Sequence, residues 1–330
     1  MHSLLRLAPL VAIAPVAVGF AAAQTVSDAA RDFPSRAIRI VVPFPAGGPT
    51  DIDARIIAQK MSEDWKQPVI VENRPGANTA LGAQLVAKAD PDGYTLLAAM
   101  DTTLVMNPAT ATNLSYDPFK DFATVTLTAS NTSLLTVRAA DGPKTAAELI
   151  ARAKANPRKQ NYGAGVITTR LAGYLFAQMA GIEVQLIPYK GSAETVQGLL
   201  SGSVDFIVDG IAASLPLIKA GQLRALAKLN SLPQPALPDV LPLSIAAGLP
   251  QLEDISTWIG IVAPAGTPPA IIDKIQREIV EIYRDPVVAD RLQKAGITPV
   301  TCTPAEFDAF FRKEAARWTK VFLESGIKLE

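Results

Sequence analysis

A strand followed by a tight Gly/Pro loop and then a helix recurs along this chain, and that recurrence restricts the fold more than any other feature. Ala37–Phe44 (AIRIVVPF) is a β-branched run closed by a Pro/Gly turn. Thr50–Trp65 follows with apolar residues at helical spacing, Ile52, Ile56 and Met61 falling near one face. The same unit reappears as Val69–Glu72 with Thr79–Ala89, as Tyr94–Ala99 with a segment opening near Thr102, and as Asn161–Ala164 with Thr168–Met179. Val184–Tyr189 precedes Ser192–Leu200, and Val204–Val208 precedes Ala213–Ala220. Alternation of this kind predicts an α/β protein of mostly parallel sheets with helices on both faces.

Helix ends carry their own signals. Thr145-Ala-Ala-Glu148 and Thr303-Pro304-Ala-Glu306 read as capping boxes, in which threonine and glutamate satisfy orphan amides and Pro304 takes the first helical position. Asn156-Pro157 stops the first of these helices. Ile271, Ile275, Ile279 and Ile282 form one apolar stripe that Asp285-Pro286 ends, which predicts core packing. Two passages break the rhythm: Ala123–Arg138 reads as a long extended segment, and Ser231–Pro250 is proline-rich and irregular. Placed around a central α/β block, they predict two chain crossings and so two lobes with a cleft. The expected division is 32–130 plus 251–330 for lobe I and 131–250 for lobe II.

The scarcest residues exclude most enzyme chemistry. The single histidine is His2, so Ser-His-Asp and Cys-His catalysis and histidine metal sites are out once the N-terminus is removed. Cys302 is the single cysteine, which excludes an intrachain disulfide or a thiolate metal cluster. Lys+Arg 31 balances Asp+Glu 31, so no electrostatic footprint for nucleic acid or an anionic membrane exists. Residues 1–23 read as a signal peptide: Arg6 is basic, Leu7–Ala23 is uncharged and apolar, and Ala21-Ala22-Ala23 offers a small-residue cleavage site. A membrane anchor is the weaker reading, because that run falls short of the ~20 residues needed to span and holds Pro9 and Pro15. Loss of Arg6 leaves 30 basic against 31 acidic residues, a net charge of −1. An exported, free protein is expected.

In open α/β sheets the ligand crevice lies beyond the carboxyl ends of the strands. Pro43-Phe-Pro-Ala-Gly-Gly-Pro-Thr-Asp51 occupies such a place and leads into a helix. Gly47 and Gly48 permit close backbone approach, and the helix start offers unpaired amides and positive dipole to an anion such as a carboxylate. Alone, this loop is equally well read as a structural tight turn. Pro188-Tyr-Lys-Gly-Ser192 is a second candidate, again between strand and helix. Two such starts facing one another would clamp a carboxylate without arginine. Neither a Walker loop nor GxGxxG is present in these loops, and no cofactor is expected.

Taken together, Ile40-Val-Val-Pro-Phe-Pro-Ala-Gly-Gly48 with Asp51 and Arg55, Val71-Glu-Asn-Arg-Pro-Gly76, Pro91-Asp-Gly-Tyr-Thr95, Asn107-Pro108, Tyr116-Asp-Pro with Lys120-Asp-Phe122, Pro188-Tyr-Lys-Gly191 and Ala263-Pro-Ala-Gly-Thr-Pro268 closely resemble the Bug family. These are extracytoplasmic solute receptors of tripartite tricarboxylate transporters. The resemblance implies a periplasmic binding protein of the second, Venus-flytrap structural class, a small carboxylated solute held by loop amides, and delivery to one large and one small permease subunit by a monomer. It places ligand contacts on Phe44, Pro45, Ala46, Gly47, Gly48, Thr50 and Asp51, on Asp101, Thr102 and Thr103, on Gly165 and Thr168, on Tyr189, Gly191 and Ser192, and on Asp209. The chain departs from the family at Asp101, where a small or hydroxyl residue is common, and in the shortened Tyr162–Arg170 segment, where Arg170 stands in place of a histidine. Asp101 is read as contacting a donor or cationic end of the ligand, or else as a structural cap or surface position. A sensory protein signalling to a membrane kinase is the alternative function. An enzyme using Asp51, Asp101 and Asp209 as acid/base groups is the least favoured.

Trp65, Trp258 and Trp318 read as core or interface anchors rather than stacking platforms, Cys302 as an inert, partly buried thiol, and Lys274–Glu281 as carrying a solvated helix face.

Overall fold

The computed structural model describes residues 31–325 apart from 112, 232, 233, 251, 253 and 254. The N-terminal segment read as a signal peptide lies outside the described residues. The chain forms two sheets. The first has the strand order β11-β4-β10-β3-β1-β2, built from β1 (Ile38–Val42), β2 (Val69–Asn73), β3 (Thr95–Met100), β4 (Phe122–Asn131), β10 (Thr257–Pro264) and β11 (Ile297–Pro299). The second has the order β7-β6-β8-β5-β9, from β5 (Ser133–Arg138), β6 (Gln160–Ala164), β7 (Val184–Pro188), β8 (Phe206–Gly210) and β9 (Leu223–Lys228).

The predicted strand–helix units are present. Helix α1 (Pro49–Trp65) follows β1, α2 (Ala80–Ala87) follows β2, and a π-helical turn (Thr102–Met106) running into α3 (Asn107–Thr110) follows β3. In the second sheet α4 (Ala146–Ala155) follows β5, α5 (Ile167–Ala180) follows β6, α6 (Ser192–Leu200) follows β7 and α7 (Ile211–Lys219) follows β8. The short α8 (Leu243–Ala246), then α9 (Pro269–Arg284), α10 (Pro286–Lys294) and α11 (Pro304–Ser325), complete the described chain.

The sheets are mixed, which corrects the expectation of mostly parallel pairing. Parallel pairs are confined to β1–β2, β1–β3, β6–β7 and β6–β8, where a helix carries the chain back to the same end. The crossing strands run the other way: β10 is antiparallel to β3 and β4, β11 to β4, and β5 to β8 and β9. A strand that enters from the other sheet needs no crossover helix, so parallel pairing is not imposed on it. The long Ala123–Arg138 segment is this crossing, with β4 ending at Asn131 and β5 starting at Ser133. The return passes through the irregular proline-rich stretch into β10.

The core follows the sequence pattern. Ile271, Ile275, Ile279 and Ile282 are all buried, packing α9 against a cluster with Ile38, Ile40 and Ile57. Each such side chain contributes about 1.5–3 kcal/mol of transfer free energy. A second cluster runs from Leu97 and Leu104 through Trp258 and Phe307 to Phe176 and Phe206, so apolar contact continues from one sheet to the other. Trp258 and Trp318 are buried, while Trp65 is half-buried and donates its indole N–H to Glu278 at 2.8 Å. The cap at Thr303 is reciprocal, Glu306 N donating to Thr303 Oγ1 at 3.2 Å and Thr303 N to Glu306 Oε2 at 2.8 Å. At Thr145 only half the box forms: Glu148 N donates to Thr145 Oγ1, but the Glu148 carboxylate takes the amide of Lys144. The Cys302 thiol is partly buried, and burial pushes its pKa up, consistent with an inert group. Among the described residues no helix is long and apolar enough to cross a membrane.

Candidate functional site: a cavity ringed by helix starts

Loops and strand ends from both sheets line a cavity of about 190 Å³. Four helices begin at its wall. Their N-cap residues, Gly48 of α1, Val166 of α5, Gly191 of α6 and Gly210 of α7, are all lining residues. None of the four carries a side-chain oxygen, so none accepts a capping hydrogen bond from its own first turn. The positive dipole ends of four helices thereby face the cavity, although in α7 the first amide, Ile211 N, already donates to Thr132 O at 3.0 Å.

The glycines explain how the backbone comes so close. A Cβ at Gly191 or Gly210 would meet no atom within 4 Å, and one at Gly48 would meet only Pro45 O at 3.8 Å. The absent side chains are therefore cavity space rather than room for neighbouring packing. Gly47 does something different. It sits at φ +86, a left-handed conformation that L side chains rarely adopt, and its N–H donates to Asp51 Oδ2 at 2.9 Å.

The wall is largely apolar, and the few polar side chains in it are poorly satisfied. Thr50 Oγ1, both side-chain polar atoms of Asn131, Ser133 Oγ and Asp209 Oδ2 are buried without a hydrogen-bond partner, and all four residues line the cavity. Buried polar atoms without partners are rare, because each forfeits its solvation. Asp209 is 3 % exposed; its Oδ1 accepts from Ser192 Oγ at 3.0 Å, and burial pushes its pKa up to about 6. Among the described lining residues the charged side chains are Glu194 and Asp209, with no lysine or arginine.

Of the residues marked in the sequence, Phe44, Pro45, Ala46, Gly48, Thr50, Gly191, Ser192 and Asp209 line this cavity. The others fall elsewhere. Asp51 points into its own loop: Gly47 N, Arg55 Nε and Asn73 Nδ2 all donate to it at 2.9 Å. Burial opposes ionisation there, but the hydrogen bonds from Arg55, Gly47 and Asn73 hold the carboxyl below the usual carboxylate range. Thr103 donates to Thr79 Oγ1 at 3.0 Å, inside the protein. Asp101 is neither a surface group nor a cavity-lining one. It is 1 % exposed and accepts a hydrogen bond from Thr168, so two expected ligand residues bind one another instead. Burial, aided by Glu314, pushes the Asp101 carboxyl up to about 7.

Thr102, Gly165 and Tyr189 line a neighbouring cleft of about 450 Å³ that shares Phe44, Pro45 and Val166 with the first. There Arg170 ties two loops together, donating to Tyr189 O at 3.0 Å and to Gly165 O at 3.4 Å. Gly165 is small for packing: a Cβ would lie 3.0 Å from the Gly191 carbonyl carbon. The Tyr189 ring packs over Gly163 and Gly198 rather than reaching into the smaller cavity.

Sequence reasoning missed Asn131, Ser133 and Thr257, which line the cavity from the strands that cross between the sheets. The signal existed in the extended segment itself, since Ser130-Asn131-Thr132-Ser133 breaks the alternation of threonine with apolar residues at the crossing.

Comparison with known proteins bears directly on this arrangement. The sequence model of the tripartite tricarboxylate transporter family receptor, TctC, matches residues 53–327. The chain belongs to the TctC family of transporter receptors. Protein BugT of Bordetella pertussis is 34% identical over 301 residues, covering 90% of this chain and 92% of that protein, which places the chain with the Bug proteins. Among solved structures, Rpa4515 of Rhodopseudomonas palustris with adipate superposes with a TM-score of 0.85 at 33% identity over 90% of this chain and 99% of that one. MatC from the same organism, with bound malate, gives a TM-score of 0.79 at 30% identity over 88% and 99%. TctC family members are periplasmic solute-binding receptors and not enzymes, with the two-lobed α/β fold of periplasmic binding proteins. This removes the acid/base reading of Asp51, Asp101 and Asp209, and it does not favour the sensor-kinase alternative.

Proposed function

We propose that this TctC receptor captures a small carboxylate in the cavity ringed by Gly48, Val166, Gly191 and Gly210. The observation that carries the reading is the convergence of four uncapped helix starts on one space whose described wall holds no basic side chain. Each dipole is worth roughly 0.3–1 kcal/mol in exposed settings and more when partly buried, so several acting together suit one carboxylate. The adipate and malate of the two Rhodopseudomonas palustris structures support the same ligand class.

In this reading residues 32–130 plus 251–330 form one lobe and 131–250 the other, and ligand favours the form in which both lobes touch it. Phe44, Pro45, Ala46, Gly48, Thr50, Gly191, Ser192 and Asp209 contact ligand directly. Gly47, Asp51, Asp101, Thr102, Thr103, Gly165, Thr168 and Tyr189 shape and fasten the loops that present them. The receptor works in the periplasm as a monomer after removal of residues 1–23, and delivers its solute to a permease of one large and one small subunit. Ligand-induced thermal stabilisation across mono- and dicarboxylates, aromatic carboxylates and amino acids tests this. A rise in Tm with at least one carboxylate is the expected result, and a well-folded protein that no carboxylate stabilises refutes it.

A further inference from the structure

The carboxylate end of a ligand accounts for the helix starts but leaves the opposite chemistry of the cavity unused. Asp209 presents Oδ2 without a partner, Asn131 presents both its amide oxygen and nitrogen, and Ser133 presents its hydroxyl, each residue at least 97 % buried. These groups line one cavity, Asn131 from the end of β4, Ser133 from the start of β5 and Asp209 from near the end of β8. Ser192 already donates to Asp209 Oδ1. What the open oxygen lacks is a donor, and no described lining residue has a cationic side chain to supply one.

Charge decides which donor. With Asp209 and Glu194 on the wall, a second ligand carboxylate placed against Asp209 would meet a like charge in a site of low dielectric. An ammonium group meets the opposite situation: it can donate to the open Asp209 Oδ2, with Asn131 Oδ1 and Ser133 Oγ as further unpartnered acceptors in the same cavity, and it offsets the Asp209 charge. We propose that the cognate ligand carries an ammonium group as well as its carboxylate, with Asp209 and Asn131 as the residues that select for it. This rests on the carboxylate-receptor reading above and narrows it. The carboxylate lies against the helix starts of α1 and α6, and the amine lies toward the strand crossing.

Matched pairs that differ by the amine test the inference: succinate with aspartate, glutarate with glutamate, and butyrate with 4-aminobutyrate, measured by calorimetry on the mature protein above pH 7. At least one amino member is expected to bind about tenfold or more tighter than its plain partner, the scale of a charge-assisted hydrogen bond. Acetylating that amine is expected to abolish the gain, and Asp209→Asn to reduce the ratio to near unity. Plain members binding as tightly as amino members would overturn it, as would malate matching aspartate where aspartate is the preferred amino member. A ratio unchanged in Asp209→Asn would do the same. If that variant does not fold, the wild-type pairs decide alone. Failure of the broader reading looks different, because then no carboxylate with or without an amine binds.

Discussion

Thr168 donates a hydrogen bond to the carboxylate of Asp101, and the pair fastens the end of β3 in the first sheet to helix α5 of the second. Both residues are almost fully buried, at 1 % and 0 % exposure, and the other Asp101 oxygen has no partner. A group placed this way ties the two sheets to one another. Asp101→Asn and Thr168→Val are therefore expected to weaken binding of every ligand by a similar factor of about three to ten, about 1 kcal/mol for one lost hydrogen bond. The order of ligand preference stays the same. Calorimetry over a ligand panel checks this, and a reordered panel in either variant would assign Asp101 to the ligand after all.

How far the sequence reaches is visible at adjacent positions. Met100 lines the cavity and Asp101 does not. The strand–helix rhythm marks the end of β3 as a candidate ligand-facing place, but it does not show that the backbone turns helical at Asp101 (φ −45, ψ −38), just past the strand, and carries that carboxylate to Thr168. Glycine-bearing loops were legible because the backbone itself lines the site, and a glycine between strand and helix announces that. Asn131, Ser133 and Thr257 were not, because their place in the wall depends on how β4, β5 and β10 pair, and antiparallel pairing of distant strands leaves no local trace. The same nonlocality explains why the mixed character of both sheets is not legible, whereas the helices that follow β1, β2, β6, β7 and β8 are; the short α8 after β9 is hidden in the proline-rich stretch.

Gly47 and Gly48, neighbours in one loop, should fail in different ways when replaced. A valine at Gly48 has room within the protein but fills cavity space, so Gly48→Val is expected to abolish binding with Tm within about 2 °C of wild type. At Gly47 the φ of +86 is the obstacle, and valine there strains the loop by roughly 1–3 kcal/mol. Gly47→Val should therefore lose stability as well as affinity. Thermal melts with and without ligand separate the two, and tight binding by Gly48→Val would remove this helix start from the site.

Asp51 tests whether a loop held from behind matters as much as one that touches solute. Its carboxylate gathers Gly47 N, Arg55 and Asn73, and Asn73 also donates to Phe44 O at 3.1 Å, so one side chain fixes both arms of the loop. Asp51→Ala leaves those donors without their acceptor at a cost of about 1–3 kcal/mol. The expected outcome is faster ligand dissociation with a smaller change in association, read by stopped-flow fluorescence of the native tryptophans. Unchanged kinetics would mean that packing alone holds the loop.

Asp53 offers a pH test free of the cavity, since it is fully buried on the inner side of α1 and accepts hydrogen bonds from Thr128 at 2.7 Å and from Tyr283. Burial pushes its carboxyl up to about 6 despite those donors. Between the ordinary carboxylate value of 3.8 and about 6 the folded protein therefore holds a proton that the unfolded chain has lost. The folded state binds more protons, so this residue's contribution to stability is greatest at acid pH and declines as pH rises through that window. Asparagine cannot titrate, and Asp53→Asn removes the decline while its other effects stay constant with pH. Moving from pH 4.5 to pH 7.5, the variant should gain on wild type by roughly 2 kcal/mol, measured by urea unfolding at each pH. Comparing the two proteins cancels the surface carboxylates that titrate in both. A difference that does not change with pH would mean that Asp53 stays ionised throughout, held by Tyr283 and Thr128 strongly enough to offset its burial.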